Sequence, residues 1–154
     1  MKFEHLIEIN NLSNPTIPPL SRSQLWRGLV LRAESPKMFM QHLESFEITE
    51  RTEASMQRSL NYGKVMIRDR VTFLLEHQVR YHVAAQGDFS DSLLTVTIEE
   101  PQPDALFVRF SYEDASPDEG AEAMYNDFRR SAYLEADIDT IHLIRQLAEQ
   151  GRLG

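Results

Sequence analysis

The chain predicts an α+β fold in which one antiparallel sheet is covered by a long C-terminal helix, and three observations carry that prediction. From Glu44 to Glu113 apolar residues recur at every second position, the period of strands with one buried face. The connections between these alternating segments are a few residues long, which makes neighbouring strands antiparallel. Beyond the last of them Ser116, Pro117 and Glu119 form a helix start, with Ser as N-cap, Pro at the first helical position and Glu closing a capping box.

Taken in order, "FEHLIEIN" alternates Phe3, His5, Ile7 and Ile9 against Lys2, Glu4, Glu8 and Asn10, a strand with Leu6 as its exception. "NNLSNPTIPPLS" is turn chemistry. Ser21, with Gln24 three residues on, then opens a helix whose apolar stripe is Leu25, Trp26, Leu29, Val30 and Ala33. Pro36 ends it and is expected to start a second short helix that runs through Phe39 to Leu43. Six strands follow: Glu44 to Arg51, Ser55 to Tyr62, Lys64 to Leu75, Gln78 to Ala85, Leu93 to Glu99 and Ala105 to Glu113. The last helix runs toward Gly151, a suitable C-terminal stop. A twisted sheet with one apolar face and one helix to cover it leaves room for a hollow between them.

Composition narrows the function. The 154 residues fit one domain, residues 1–154, with one core. A formal charge of -8 without a Lys/Arg cluster argues against nucleic acid and anionic membrane surfaces as partners. Glu4, His5 and Glu8 interrupt the apolar run that a signal peptide needs, and no segment approaches the roughly eighteen apolar residues of a membrane span, so a soluble, cytoplasmic protein is expected. The absence of cysteine excludes disulfides, thiolate catalysis and thiolate-bound metals. The six glycines form no phosphate-cradling loop, and the nucleophile-elbow and zincin motifs are missing, so no cofactor and no metal is expected.

The candidate site residues are the polar side chains that interrupt apolar faces. Arg58 shares a face with Met56, Leu60 and Tyr62, and Asp69 shares one with Val65, Ile67, Val71 and Phe73. With Tyr62-Gly63 as the turn, Arg58 lies opposite Ile67 and Asp69 is its diagonal neighbour, within reach of a guanidinium. A structural ion pair is the first reading and a polar floor for a ligand the second. His5, between Phe3 and Ile7, reads as a hydrogen-bonded core histidine before it reads as an acid or base. Tyr81 and Tyr112 also lie on apolar faces and suit either a core or a cavity wall.

The last helix poses a harder problem. At about 100° per residue Ala121, Tyr125, Phe128 and Ala132 fall together, whereas Leu134, Ile141, Ile144 and Ala148 fall nearly opposite. One reading is a break or kink near Asp137 to Asp139, which places the acids at a helix terminus. The other is a continuous helix that projects Glu135, Asp139 and His142 on the side of Phe128, into the hollow. Tyr125 and Phe128 are cavity-lining candidates in either case.

"FEHLIEIN", "LSRSQLWRGLVLRAESPKMF", "RSLNYG" with "DRV", and "RSAYLEADIDT" resemble the AtaL-like branch of the START/Bet v 1-like (SRPBCC) helix-grip superfamily, over essentially the whole chain. Met40-Gln41 stands where that branch has a Val-Pro step, so the second short helix is expected to differ. The resemblance implies a seven-stranded antiparallel sheet wrapped around the C-terminal helix, two short helices after the first strand, and an apolar cavity. It supplies no catalytic residues, and catalytic residues are left unassigned. Carriers of lipids and hormones share this fold with polyketide cyclases and aromatases, so the fold does not choose among them. The leading expectation is a non-enzymatic module binding a small apolar molecule, with His5, Arg58, Asp69, Tyr81, Tyr112, Tyr125 and Phe128 as ligand-binding candidates. A cofactor-independent cyclase or dehydratase, with His5 or Asp69 as base and a tyrosine as acid, is the second. An interaction protein, or a homodimer using an exposed apolar patch, is the third.

Overall fold

A computed structural model describes residues 1–154. Its strands are β1 (Lys2–Glu8), β2 (Ser45–Arg51), β3 (Ser55–Asn61), β4 (Met66–Leu74), β5 (Gln78–Val83), β6 (Ser92–Gln102) and β7 (Ala105–Asp114). Two α-helices, α1 (Arg22–Glu34) and α2 (Ala121–Glu149), accompany them, with a single 3-10 turn at Pro36–Met38. The sheet order is β1-β7-β6-β5-β4-β3-β2, all antiparallel, so the one non-sequential neighbour is β1 beside β7. The fold is an α+β helix grip: a seven-stranded open sheet closed on one face by α2.

Period-two patterning becomes register here. Phe3, Tyr112, Leu94, Tyr81, Val71 and Met56 are successive cross-strand partners, one inward-facing row that crosses the sheet. A second row pairs His5 with Phe110, Val96 and Val79. Below these rows α1 packs against α2 in a core that both share with the sheet. The predicted capping box at Ser21 is present, with the Gln24 N–H donating to Ser21 Oγ at 3.0 Å and the Ser21 N–H donating to Gln24 Oε1 at 3.0 Å. Leu25 and Leu29 of α1 are wholly buried against Ile144 and Leu147 of α2. Gly28 permits that approach, because a Cβ there would stand 2.6 Å from Ile144 Cγ2.

Four local expectations are corrected. The β3–β4 turn centres on Gly63-Lys64 rather than Tyr62-Gly63, since the Tyr62 N–H donates to the Val65 carbonyl at 2.9 Å; Arg58 therefore stands directly opposite Asp69, not diagonal to it. The second short helix is the 3-10 turn Pro36–Met38 and does not extend over Phe39 to Leu43. Ser116 does not cap α2, which begins after Gly120 at φ 63°; the Ser116 hydroxyl hydrogen-bonds Asn126 Oδ1 instead, at 3.2 Å. The break near Asp137 to Asp139 is absent, and α2 is helical without interruption for 29 residues.

An unbroken α2 extends about 43 Å at 1.5 Å per residue. Its first turns overhang the sheet, where Tyr125 and Phe128 are 61% and 70% exposed. No helix is long and apolar enough to cross a membrane.

Candidate functional site

The inward face of α2 does not change sides; its chemistry changes. Asn126, Arg129, Tyr133, Asp137 and Thr140 precede Ile144 and Leu147 on a single stripe at helical spacing, the first five polar and the last two apolar. At the apolar end helix, α1 and sheet meet in a closed core. At the polar end they stand apart around a cavity of about 380 Å³, with Phe39 and Met40 on one side and β3 to β7 behind.

The cavity floor is the ion pair foreseen from the sequence. Arg58 Nε donates to Asp69 Oδ1 at 2.9 Å and Nη2 to Oδ2 at 2.5 Å, a bidentate fork. Arg58 Nη1 donates to the Ala33 carbonyl at 3.0 Å, which ties β3 to the end of α1. Both residues are buried, so their charges are matched within the fold.

Opposite the floor, α2 offers Asp137, a wholly buried carboxylate. Tyr112 Oη donates to its Oδ2 at 2.7 Å, and His5 Nε2 lies 2.7 Å from the same oxygen. Burial pushes the Asp137 carboxyl above the usual aspartate value, against the hydrogen bonds from Tyr112 and His5 and the nearby Arg32 charge, which pull it down. Burial, followed by the Asp137 charge and their hydrogen bond, raises the Tyr112 phenol. Tyr112 also stacks on Tyr133, with centroids 3.9 Å apart. At the rim Arg129 pairs with Asp114. Burial raises the Asp114 carboxyl, but the hydrogen bonds from Arg129 and the Ser116 N–H outweigh it and hold Asp114 below the usual value.

Arg32, in the last turn of α1, completes the wall. Its guanidinium lies 4.9 Å over the Tyr81 ring, and Arg58 lies 5.1 Å from the same ring. Arg32 Nε and Tyr81 Oη are buried and have no hydrogen-bond partner.

Of the seven residues singled out from the sequence, Arg58, Asp69, Tyr81 and Tyr112 line this cavity. His5 faces inward but stands behind Asp137, which it contacts, rather than on the wall. Tyr125 and Phe128 do not line it; they lie on the overhanging turns, facing solvent. Glu135, Asp139 and His142 are likewise exposed, so the continuous-helix reading was right about continuity and wrong about which acid turns inward. Arg32, Arg129, Tyr133 and Asp137 are the residues that sequence patterning missed. Two signals were available: Arg32 stands seven residues after Leu25, on the apolar stripe of α1, and Asp137 stands seven before Ile144.

A larger hollow of about 610 Å³ lies along Arg70, Thr72, Arg80, His82 and Asp91, on the outer face of the sheet. Only two of its nine lining residues are hydrophobic, which makes it a polar surface depression rather than a ligand chamber. No group of three or more His, Asp or Glu side chains converges as a metal site would.

Three comparisons bear on this geometry. The family model described as "AtaL: Acetylaranotin biosynthesis cluster protein L" matches residues 7–151. No curated protein sequence matches the chain. Among solved structures, a START superfamily protein from Mycobacterium smegmatis superposes with a TM-score of 0.65 at 15% identity, covering 95% of this chain and 98% of that one. The Zhui aromatase/cyclase from Streptomyces sp. R1128 does so with 0.63 at 12% identity, covering 96% and 95%. Ara h 8.0201 matches with 0.61 at 11% identity, covering 95% and 98%. Identities this low establish the shared fold and no shared chemistry.

Proposed function

The chain belongs to the AtaL family, within the START/Bet v 1-like superfamily, and on that premise we propose that it binds a small, largely apolar ligand, lipid-like or aromatic and polyketide-like, between sheet and helix. The observation that carries the proposal is the contrast along α2, packed solid at Ile144 and bordering a cavity beside the contacts of Tyr133 and Asp137 with Tyr112. The volume of about 380 Å³ falls in the ordinary range for small-molecule sites, and twelve of the twenty-one lining residues are hydrophobic. Polar groups are few and placed on distinct walls, which suits orientation of one molecule.

Native mass spectrometry of freshly purified protein, followed by thermal unfolding with a panel of fatty acids, aromatics and polyketide-like compounds, tests this reading. A bound species or a raised melting temperature is expected for at least one class. Replacing Val83 with Phe, which fills the wall, should abolish that response while the protein stays folded. Uniform failure of the panel would overturn the reading.

One observation favours a second reading, an enzyme of the cyclase or dehydratase kind. Asp137 carries a raised carboxyl in a cavity, beside a tyrosine hydroxyl, which is the setting for general acid–base work. This moves the base from Asp69, whose two oxygens are both taken by Arg58, to Asp137, with His5 holding it from behind. Asp137→Asn would then remove turnover and keep ligand affinity.

A further inference from the structure

Three arginines line the cavity, and they are not equivalent. Arg58 is forked onto Asp69, and Arg129 is paired with Asp114. Arg32 has no carboxylate within ion-pair distance, and its buried Nε has no hydrogen-bond acceptor. Two more acids line the wall: Glu113, 3.7 Å from Lys2, and Asp137, which His5 and Tyr112 engage. Asp137 attracts Arg32 from beyond ion-pair distance, so Arg32 is the one arginine of the three with no carboxylate in contact.

A partly buried guanidinium with no carboxylate in contact gives up water without gaining an ion pair. Arg32 is held where it is by its stack on Tyr81 and by α1 itself, whose apolar stripe it interrupts. Next to it, the Tyr81 hydroxyl is buried and also unpaired. Arg32 can only donate and the Tyr81 hydroxyl can donate as well, so one acceptor serves both, and a guanidinium with no carboxylate in contact favours an anionic one. A guanidinium fork and one phenol match a planar oxyanion such as a carboxylate. Leu60, Ile67, Val83 and Leu94 cover the wall beyond with apolar surface.

We infer that the ligand is an organic acid, an apolar body with one carboxylate that is received by Arg32 and the Tyr81 hydroxyl. The inference rests on the ligand-binding reading above and specifies its chemistry. It also separates two roles for arginine in one chamber: Arg58 holds the fold together, and Arg32 recognises the ligand.

Calorimetric titration of the full chain with 2-naphthoate and decanoate, each beside its neutral methyl ester, separates the two claims. The acids are expected to bind more tightly than their esters by roughly 10- to 100-fold, the worth of a hydrogen bond to a charged group. Arg32→Met keeps much of the side-chain stem and removes the charge, and should bring acid and ester to the same affinity. Arg32→Lys should restore part of the preference. Should Arg32→Met fail to fold, Tyr81→Phe removes a single hydroxyl and should weaken the acids by roughly tenfold while leaving the esters unchanged. Equal binding of acids and esters to the unaltered protein would overturn the anion inference and leave the cavity reading standing. Binding of neither would overturn both.

Discussion

The two ends of the space beneath α2 are built from one helix face and one sheet, yet one is solid and the other hollow. At the solid end Ile144 and Leu147 meet Leu25 and Leu29 with Gly28 between them, and a single added Cβ would collide with Ile144. At the hollow end the helix presents Tyr133, Asp137 and Thr140, and the sheet answers with Tyr112, Tyr81 and the Arg58–Asp69 pair. Apolar side chains gain by removing every gap between them. Polar ones gain by meeting specific atoms at hydrogen-bond distance, and once met they hold the elements apart at the length of the side chains. The difference teaches that satisfied polar contacts frame the cavity, while Arg32 Nε and the Tyr81 hydroxyl keep no hydrogen-bond partner, which is where the proposed ligand would be received.

The largest effect should come from breaking one of the satisfied contacts. Asp69→Ala leaves Arg58 charged, buried and unpaired, at an expected cost of about 3–5 kcal/mol in denaturant unfolding. A cost near zero would mean that the floor pair is dispensable and the hollow is held by something else. Next comes the solid end itself. Ile144→Ala opens a void in close packing and should cost about 2–5 kcal/mol, whereas Leu94→Ala removes atoms that already border a void and should cost roughly 1 kcal/mol. Equal costs at the two positions would erase the distinction between the two ends.

The smallest effect sharpens the comparison through pH. Asp137 has its folded-state value raised, so between the ordinary aspartate value and that raised one the folded chain binds more protons than the unfolded chain. Its contribution therefore favours folding below the ordinary value and declines as pH rises through the raised one. Asp114 behaves oppositely: its value is lowered, so its stabilisation is present above the ordinary aspartate value and is lost as pH falls through the lowered one. Unfolding followed from about pH 3 to about pH 7 should show Asp137→Asn flattening the decline on the higher side and Asp114→Asn flattening the rise on the lower side. Identical slopes in wild type and Asp137→Asn would show that this carboxyl is not destabilised by its burial.

The elements were legible because their signals are local. Ser21 and Gln24 three positions apart in one turn suffice for a helix start, and alternation from Met56 to Leu60 suffices to orient a strand. Arg58 and Asp69 were legible for the same reason, since a short hairpin brings them together; only the turn's position by one residue escaped. Asp137 was visible as an acid inside a helix, and the local remedy for such an acid is a terminus, hence the expected break. The remedy used is remote: Tyr112 is 25 residues away and His5 is 132. Tyr125 and Phe128 failed for a related reason, because whether a helix face is covered depends on how far the sheet extends beneath it.

By itself the sequence determined the class of fold, the parity of each strand and the charged pair on the cavity floor, because each follows from spacing along the chain or across one hairpin. The tertiary structure alone decided which acid turns inward, which arginine is left with no carboxylate in contact and where helix and sheet border a cavity. Those outcomes depend on distances between residues that no local pattern relates, and a buried charge is judged only by what lies within a few ångströms of it.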